Sequence, residues 1–108
     1  MAFPALPDRV REALSKRNPR EVSMFGGISF MVDERMVAAA RRDELLLRID
    51  PANRERLLTV PGARPALMGA GRTMGPGWIA VGEEALSGDG LADWLARALD
   101  FHASRTDD

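Results

Sequence analysis

The sequence predicts an α+β domain of two layers: an antiparallel sheet of about five strands with helices on one face, in the order helix, three strands, helix, two strands, helix. Two observations carry this prediction. Segments of strand length follow one another with short turns between them, as antiparallel neighbours do. The last segment instead carries an apolar stripe at helical spacing. A chain of 108 residues, 45% apolar, suffices for one domain over 1–108 and is too short for two.

Three segments carry helical signals. The first runs from about Pro7 to Arg17, with proline in its first turn. The apolar residues on its inner face are Leu6, Val10, Ala13 and Leu14. The second, Pro51 to Thr59, follows Asp50, whose side chain can cap the helix. The third follows Asp89, and its stripe consists of Leu91, Trp94, Leu95, Ala98, Leu99 and His102. Residues 104–108 are expected to fray.

The strands are expected between turn signals. Glu21 to Phe25 and Ile28 to Val32 form one extended stretch, which Gly26-Gly27 interrupts with a bulge or a bend. Further strands are expected at Met36 to Ala40, Glu44 to Ile49 and Trp78 to Val81, with a loose hairpin over Ala66 to Met74 and one helical turn over Glu83 to Leu86.

Composition excludes several classes of function. The chain has no cysteine, so disulfides, thiolate metal sites and a cysteine nucleophile are excluded. Its single histidine excludes a His-rich metal site. Fifteen basic and sixteen acidic residues leave a net charge of -1, which disfavours tight binding of duplex DNA by this domain. No signal peptide or membrane-spanning run is present in the sequence, so we expect a cytoplasmic protein. Because cysteine is missing, histidine is single and the acidic residues are isolated, we expect no metal, and we expect no cofactor.

The second face of the predicted sheet is the main candidate for a binding surface. A two-residue turn at Arg42-Asp43 places Met36, Ala38 and Ala40 on the face that bears Leu45, Leu47 and Ile49. Two registers are open for the preceding hairpin, and a three-residue loop, Asp33 to Arg35, sorts the pattern better. The opposite face then presents Met31, Val37 and Leu46, rimmed by Arg35 and Arg48. This is a typical partner surface unless a helix covers it or its residues are scattered.

The segment Met24-Phe25-Gly26-Gly27-Ile28-Ser29-Phe30-Met31-Val32 resembles the opening of the TfoX/Sxy N-terminal domain family. Asp43-Glu44-Leu45-Leu46-Leu47-Arg48, Gly71-Arg72-Thr73-Met74, Gly77-Trp78 and the helix with Leu91 and Trp94 follow in the family's order. The similarity covers about Val22 to Leu99. It implies an antiparallel α+β fold, a role in activating bacterial competence genes with the cyclic-AMP receptor protein, and no catalytic residues. We expect a single-domain member without the C-terminal helical domain of full-length members.

Other candidate sites are better explained structurally. Gly26-Gly27 lacks the Lys-Ser/Thr pair of a phosphate-binding loop, so a turn is the simpler reading. His102 is expected to be a half-buried residue near a helix C-terminus, where a cation is favoured.

We therefore expect a non-enzymatic interaction module, regulatory by resemblance, that forms a homodimer or binds a protein partner through the second face. The alternative is a domain that binds a small ligand or an anion through an arginine-lined surface with Arg48, Arg64 and Arg72.

Overall fold

A computed structural model describes residues 5–24, 27–41, 44–67 and 72–104. Its elements are the helices α1 (Leu6–Ala13), α2 (Arg54–Leu57) and α3 (Gly90–Ser104), and the strands β1 (Arg20–Met24), β2 (Gly27–Val32), β3 (Arg35–Ala40), β4 (Glu44–Arg48), β5 (Ala63–Pro65) and β6 (Trp78–Gly82). The strands form one antiparallel sheet in the order β1-β2-β3-β4-β6-β5. The main core joins residues of all three helices to one face of this sheet, which confirms the predicted α+β fold with helices on one face.

The first meander differs from the prediction because the chain reverses where a bend was expected. Met24 pairs with Gly27, and β1 runs antiparallel to β2. The described sheet therefore has six strands where about five were predicted. Gly27 is required by close packing, because a Cβ built there would overlap the carbonyl oxygen of Ala40 on β3. Phe25 and Gly26, which belong to the predicted motif, lie outside the described residues, as does the side chain of Met24.

The helices match their sequence signals closely. Leu6, Val10 and Leu14 are buried as predicted, whereas Ala13 is exposed. The Asp50 side chain caps the second helical segment by accepting a hydrogen bond from the Ala52 N–H at 3.0 Å, which confirms the predicted start. That segment begins as a 3₁₀ turn, Pro51–Asn53, and continues into α2. The stripe of α3 is buried at Leu91, Trp94, Leu95 and Ala98. Ser104, expected in the frayed tail, is the last residue of α3, and 105–108 lie outside the described residues.

The register between β3 and β4 is the predicted one. Ala38 pairs with Leu47 and Ala40 with Leu45, so these residues share the helix-covered face. The preceding hairpin combines both registers that the sequence left open. Ile28 pairs with Ala40 and Phe30 with Ala38, as the preferred register requires.

A register shift then separates this part of the hairpin from its turn. Met31 pairs with Met36 and Val32 with Arg35, around a two-residue turn. Val37 is the extra residue of the resulting β-bulge, so the predicted three-residue loop is wrong.

A small second core covers part of the opposite sheet face. Ala39, Leu46 and Ala80 pack there with Ala66, and Met74 and Trp78 pack against this cluster. After β5, the Met74 N–H donates a hydrogen bond of 2.9 Å to the Ala66 carbonyl and Leu67 forms a bridge with Thr73, as the predicted loose hairpin requires; the turn of that hairpin, 68–71, lies outside the described residues. None of the described helices has the length and apolar character needed to cross a membrane.

Candidate functional site

The partly exposed half of the second face lies at the β1 end of the sheet. Strand pairing places Val22, Ser29, Met31 and Met36 together on this face, because directly opposed residues point to the same side. We call the three of them that are partly exposed, Val22, Met31 and Met36, the open half-face. Val22, Met31 and Met36 are half-buried, whereas Ser29 is buried and its hydroxyl has no hydrogen-bond partner among the described residues. This part of the face is small and apolar, and two of its side chains, those of Met31 and Met36, are flexible.

The structure brings together only part of the predicted partner surface. Met31 lies on the open half-face. Val37 is 1% exposed and belongs to the main core, because the β-bulge turns its side chain toward the helices. Leu46 lies on the second face but is fully buried beneath the segment containing Ala66 and Met74. The expectation that Val37 and Leu46 line an open surface is therefore wrong.

The two predicted rim arginines separate as well. Arg35 pairs with Val32 of the main core, so it lies on the helix-covered face and not at the rim of the second face. Arg48 does lie on the second face, with its guanidinium 5.8 Å from the centroid of the Trp78 ring. It therefore borders the covered part of that face and not the open half-face.

Two ion pairs hold the charged side chains of β1, that of Arg20 on the second face and that of Glu21 on the helix-covered face. Arg20 binds Glu34 in the β2–β3 turn at 2.8 and 3.3 Å, and its guanidinium also contacts the sulfur of Met31. Glu21 accepts two hydrogen bonds, of 2.6 and 2.8 Å, from Arg11 on α1. These hydrogen bonds lower the pKa of the Glu21 carboxyl. Both charged side chains of β1 are thus bound to other elements of the same chain.

The three arginines of the predicted anion site, Arg48, Arg64 and Arg72, are not all available to bind an anion. Glu44 lies between two guanidinium groups, with Arg64 at 2.9 Å from one carboxylate oxygen and Arg41 at 2.9 Å from the other. Arg64 therefore shares one carboxylate with Arg41, and Arg48 lies over Trp78. Arg72 is exposed next to the Leu67–Thr73 bridge. This arrangement does not favour the alternative of an arginine-lined anion site at these positions.

A cleft of about 350 Å³ on the helix-covered side is lined by Arg17, Asp33, Arg35, His102 and Ala103. His102 is 9% exposed, and its Nε2 lies 3.0 Å from the Asp33 carboxylate. The prediction of a partly buried histidine near the end of α3 is confirmed, but its partner was missed. Asp33 is 69 residues away along the chain, so no local pattern indicates the contact. Within the ranges that the structure describes, no three His, Cys, Asp or Glu residues form a metal-binding group.

Comparison with known proteins places this architecture in a family. The sequence model of the TfoX N-terminal domain family matches residues 14–102 of this chain. The crystal structure of a structural-genomics target from Pseudomonas syringae superposes with a TM-score of 0.64 over 94% of this chain and 100% of that one, at 14% sequence identity, which shows a shared fold. No curated protein matches the chain. The family match extends from Leu14, just after α1, almost to the end of α3, and the chain belongs to the TfoX N-terminal domain family.

Proposed function

We propose that this chain is a non-enzymatic, regulatory interaction module of the bacterial cytoplasm that binds a protein partner through its open half-face. Membership of the TfoX N-terminal domain family supports the regulatory part of the proposal.

One observation carries the choice of surface. The two halves of the second face differ in cover: the Leu46 half packs against Ala66, Met74 and Trp78, whereas Met31, Met36 and Val22 remain partly exposed. Methionines pack adaptably against different partners, and partner surfaces combine an apolar centre with polar neighbours. Here the polar neighbour is the exposed Arg20–Glu34 pair.

The electrostatics of the described surface point in the same direction. Arg20, the charged residue of β1 that lies on the same face as Met31, forms an ion pair with Glu34. A binding surface whose charges are already paired offers shape and apolar contact more than a field for a small ion. Burial of apolar area contributes roughly 25 cal/mol per Å², from which the costs of association are subtracted.

Site-specific photocrosslinking in the native host tests the proposal. A photoreactive amino acid replaces Met31 in one strain and Glu55, an exposed residue of α2 on the other side of the sheet, in a control strain. We expect discrete protein adducts from position 31 and not from position 55. If position 31 gives no adduct, or if both positions give the same adducts, this surface is not the binding site.

A further inference from the structure

The two edges of the sheet are built differently. The β5 edge is only three residues long and includes Pro65, which has no N–H to offer to another strand. The β1 edge is five residues long, Arg20–Met24, and contains no proline. Its only strand neighbour in the described part of the chain is β2. An edge of this kind presents main-chain hydrogen-bonding groups to any strand that approaches it.

Charged side chains normally protect such an edge, but those of β1 are held elsewhere. Arg20 forms its two hydrogen bonds with Glu34, and Glu21 forms its own with Arg11. Each charge thus has a partner within the chain, although Arg11 also binds Asp8 at 2.6 Å, so an incoming strand meets weaker repulsion than from an unpaired lysine or glutamate. The remaining members of the strand are Val22, Ser23 and Met24, all uncharged.

From this contrast we infer that two copies of the chain associate by antiparallel pairing of their β1 strands about a two-fold axis at Val22. The two six-stranded sheets become one continuous sheet. In this register Val22 opposes Val22 of the second copy, Glu21 opposes Ser23, and Arg20 opposes Met24, so no like charges are directly opposed. A register centred on Glu21 would place two carboxylates opposite each other.

A second copy fits this edge because the sequence of β1 complements itself under two-fold symmetry, which is the commonest symmetry of homo-oligomers. Val22 lies on the second face beside Ser29, so the two valines would adjoin there and extend the open half-faces into one surface. The inference rests on the proposed function in naming one partner of the interaction module, and it replaces the predicted dimer through Val37 and Leu46, whose side chains are buried within the chain.

Single-cysteine crosslinking tests the inference directly, because the chain has no cysteine of its own. In the inferred register the two Cα atoms at position 22 lie about 4.5–5.5 Å apart, within the range for a disulfide. Ser23→Cys is the matched control: it lies on the same edge strand, but the two copies of position 23 are offset diagonally by about 7–8 Å. We expect Val22→Cys to form a disulfide-linked dimer under mild oxidation at least tenfold faster than Ser23→Cys. Light scattering of the unmodified chain should give the mass of a dimer at tens of micromolar.

A monomeric chain at about 100 µM, or equal crosslinking of the two variants, would overturn the inference. Val22→Asp gives a second measurement, because it would place two carboxylates opposite each other across the two-fold axis. We expect this variant to be folded by circular dichroism and monomeric by light scattering. A folded Val22→Asp variant that remains dimeric contradicts β1 pairing. Adducts of position 31 with other proteins, obtained from a monomeric chain, would refute the edge pairing and leave the proposed function standing.

Discussion

Replacing Gly27 by alanine should destabilise the domain by about 2 to 3 kcal/mol. The added Cβ would overlap the carbonyl oxygen of Ala40 and would lie 2.9 Å from its carbonyl carbon and 3.0 Å from the Cα of Arg41. All three are backbone atoms, so no side-chain rotation relieves the clash. The strands β2 and β3 must separate at this end, at the expense of packing and of a hydrogen bond of the adjacent Ile28–Ala40 pair.

The magnitude follows from three effects. Overpacking costs about 1–3 kcal/mol, and a lost backbone hydrogen bond costs about 1 kcal/mol. Because alanine makes the unfolded chain less flexible than glycine does, the substitution also stabilises the folded state by about 0.4–1 kcal/mol. Urea unfolding followed by tryptophan fluorescence measures the result, and for a domain of this size the midpoint should fall by about 2 M.

Gly77→Ala is the matched control. A Cβ at Gly77 would lie 3.4 Å from the Nε of Arg48, which is an ordinary contact, and its backbone is not in the left-handed region. Its midpoint should change by no more than about 0.4 M, equivalent to about 0.5 kcal/mol. If Gly27→Ala and Gly77→Ala unfold at the same urea concentration, the close approach of β2 to β3 does not explain the glycine.

Three further predictions follow from particular contacts. Leu46→Ala should cost about 2–4 kcal/mol in urea unfolding, because Leu46 is fully buried; a loss below about 0.5 kcal/mol would mean that the second face is open there. Glu21→Gln should be less stable than the native chain at pH 7. Because the bond from Arg11 lowers the folded-state pKa of Glu21, that difference exists above the unfolded pKa of about 4.3 and should disappear as the pH falls through the folded pKa; a constant difference from pH 7 to about 2.5 would contradict it. A double-mutant cycle of His102→Gln and Asp33→Asn should give a coupling of about 0.5 kcal/mol or more, whereas additive effects would show that their 3.0 Å contact does not stabilise the chain.

The elements that sequence analysis placed correctly are those whose signals act over a few residues. The stripe of α3 repeats at the helical period, and the cap at Asp50 requires only the backbone two residues ahead. The pairing of Ala38 with Leu47 also follows from local pattern, because the two-residue turn predicted at Arg42-Asp43 fixes a register that puts both apolar sets on one face. The motif that begins at Met24 further indicated the family.

The binding surface depended on contacts that no local pattern specifies. Val37 points to the core because a single extra residue in β3 creates a β-bulge, and Leu46 is buried because a segment some 20 residues further along the chain, from Ala66, folds over it. Alternation along a strand predicts which residues share a face, but it carries no information about what covers that face. Tertiary packing alone decided that the face is closed at Leu46 and partly open at Met31.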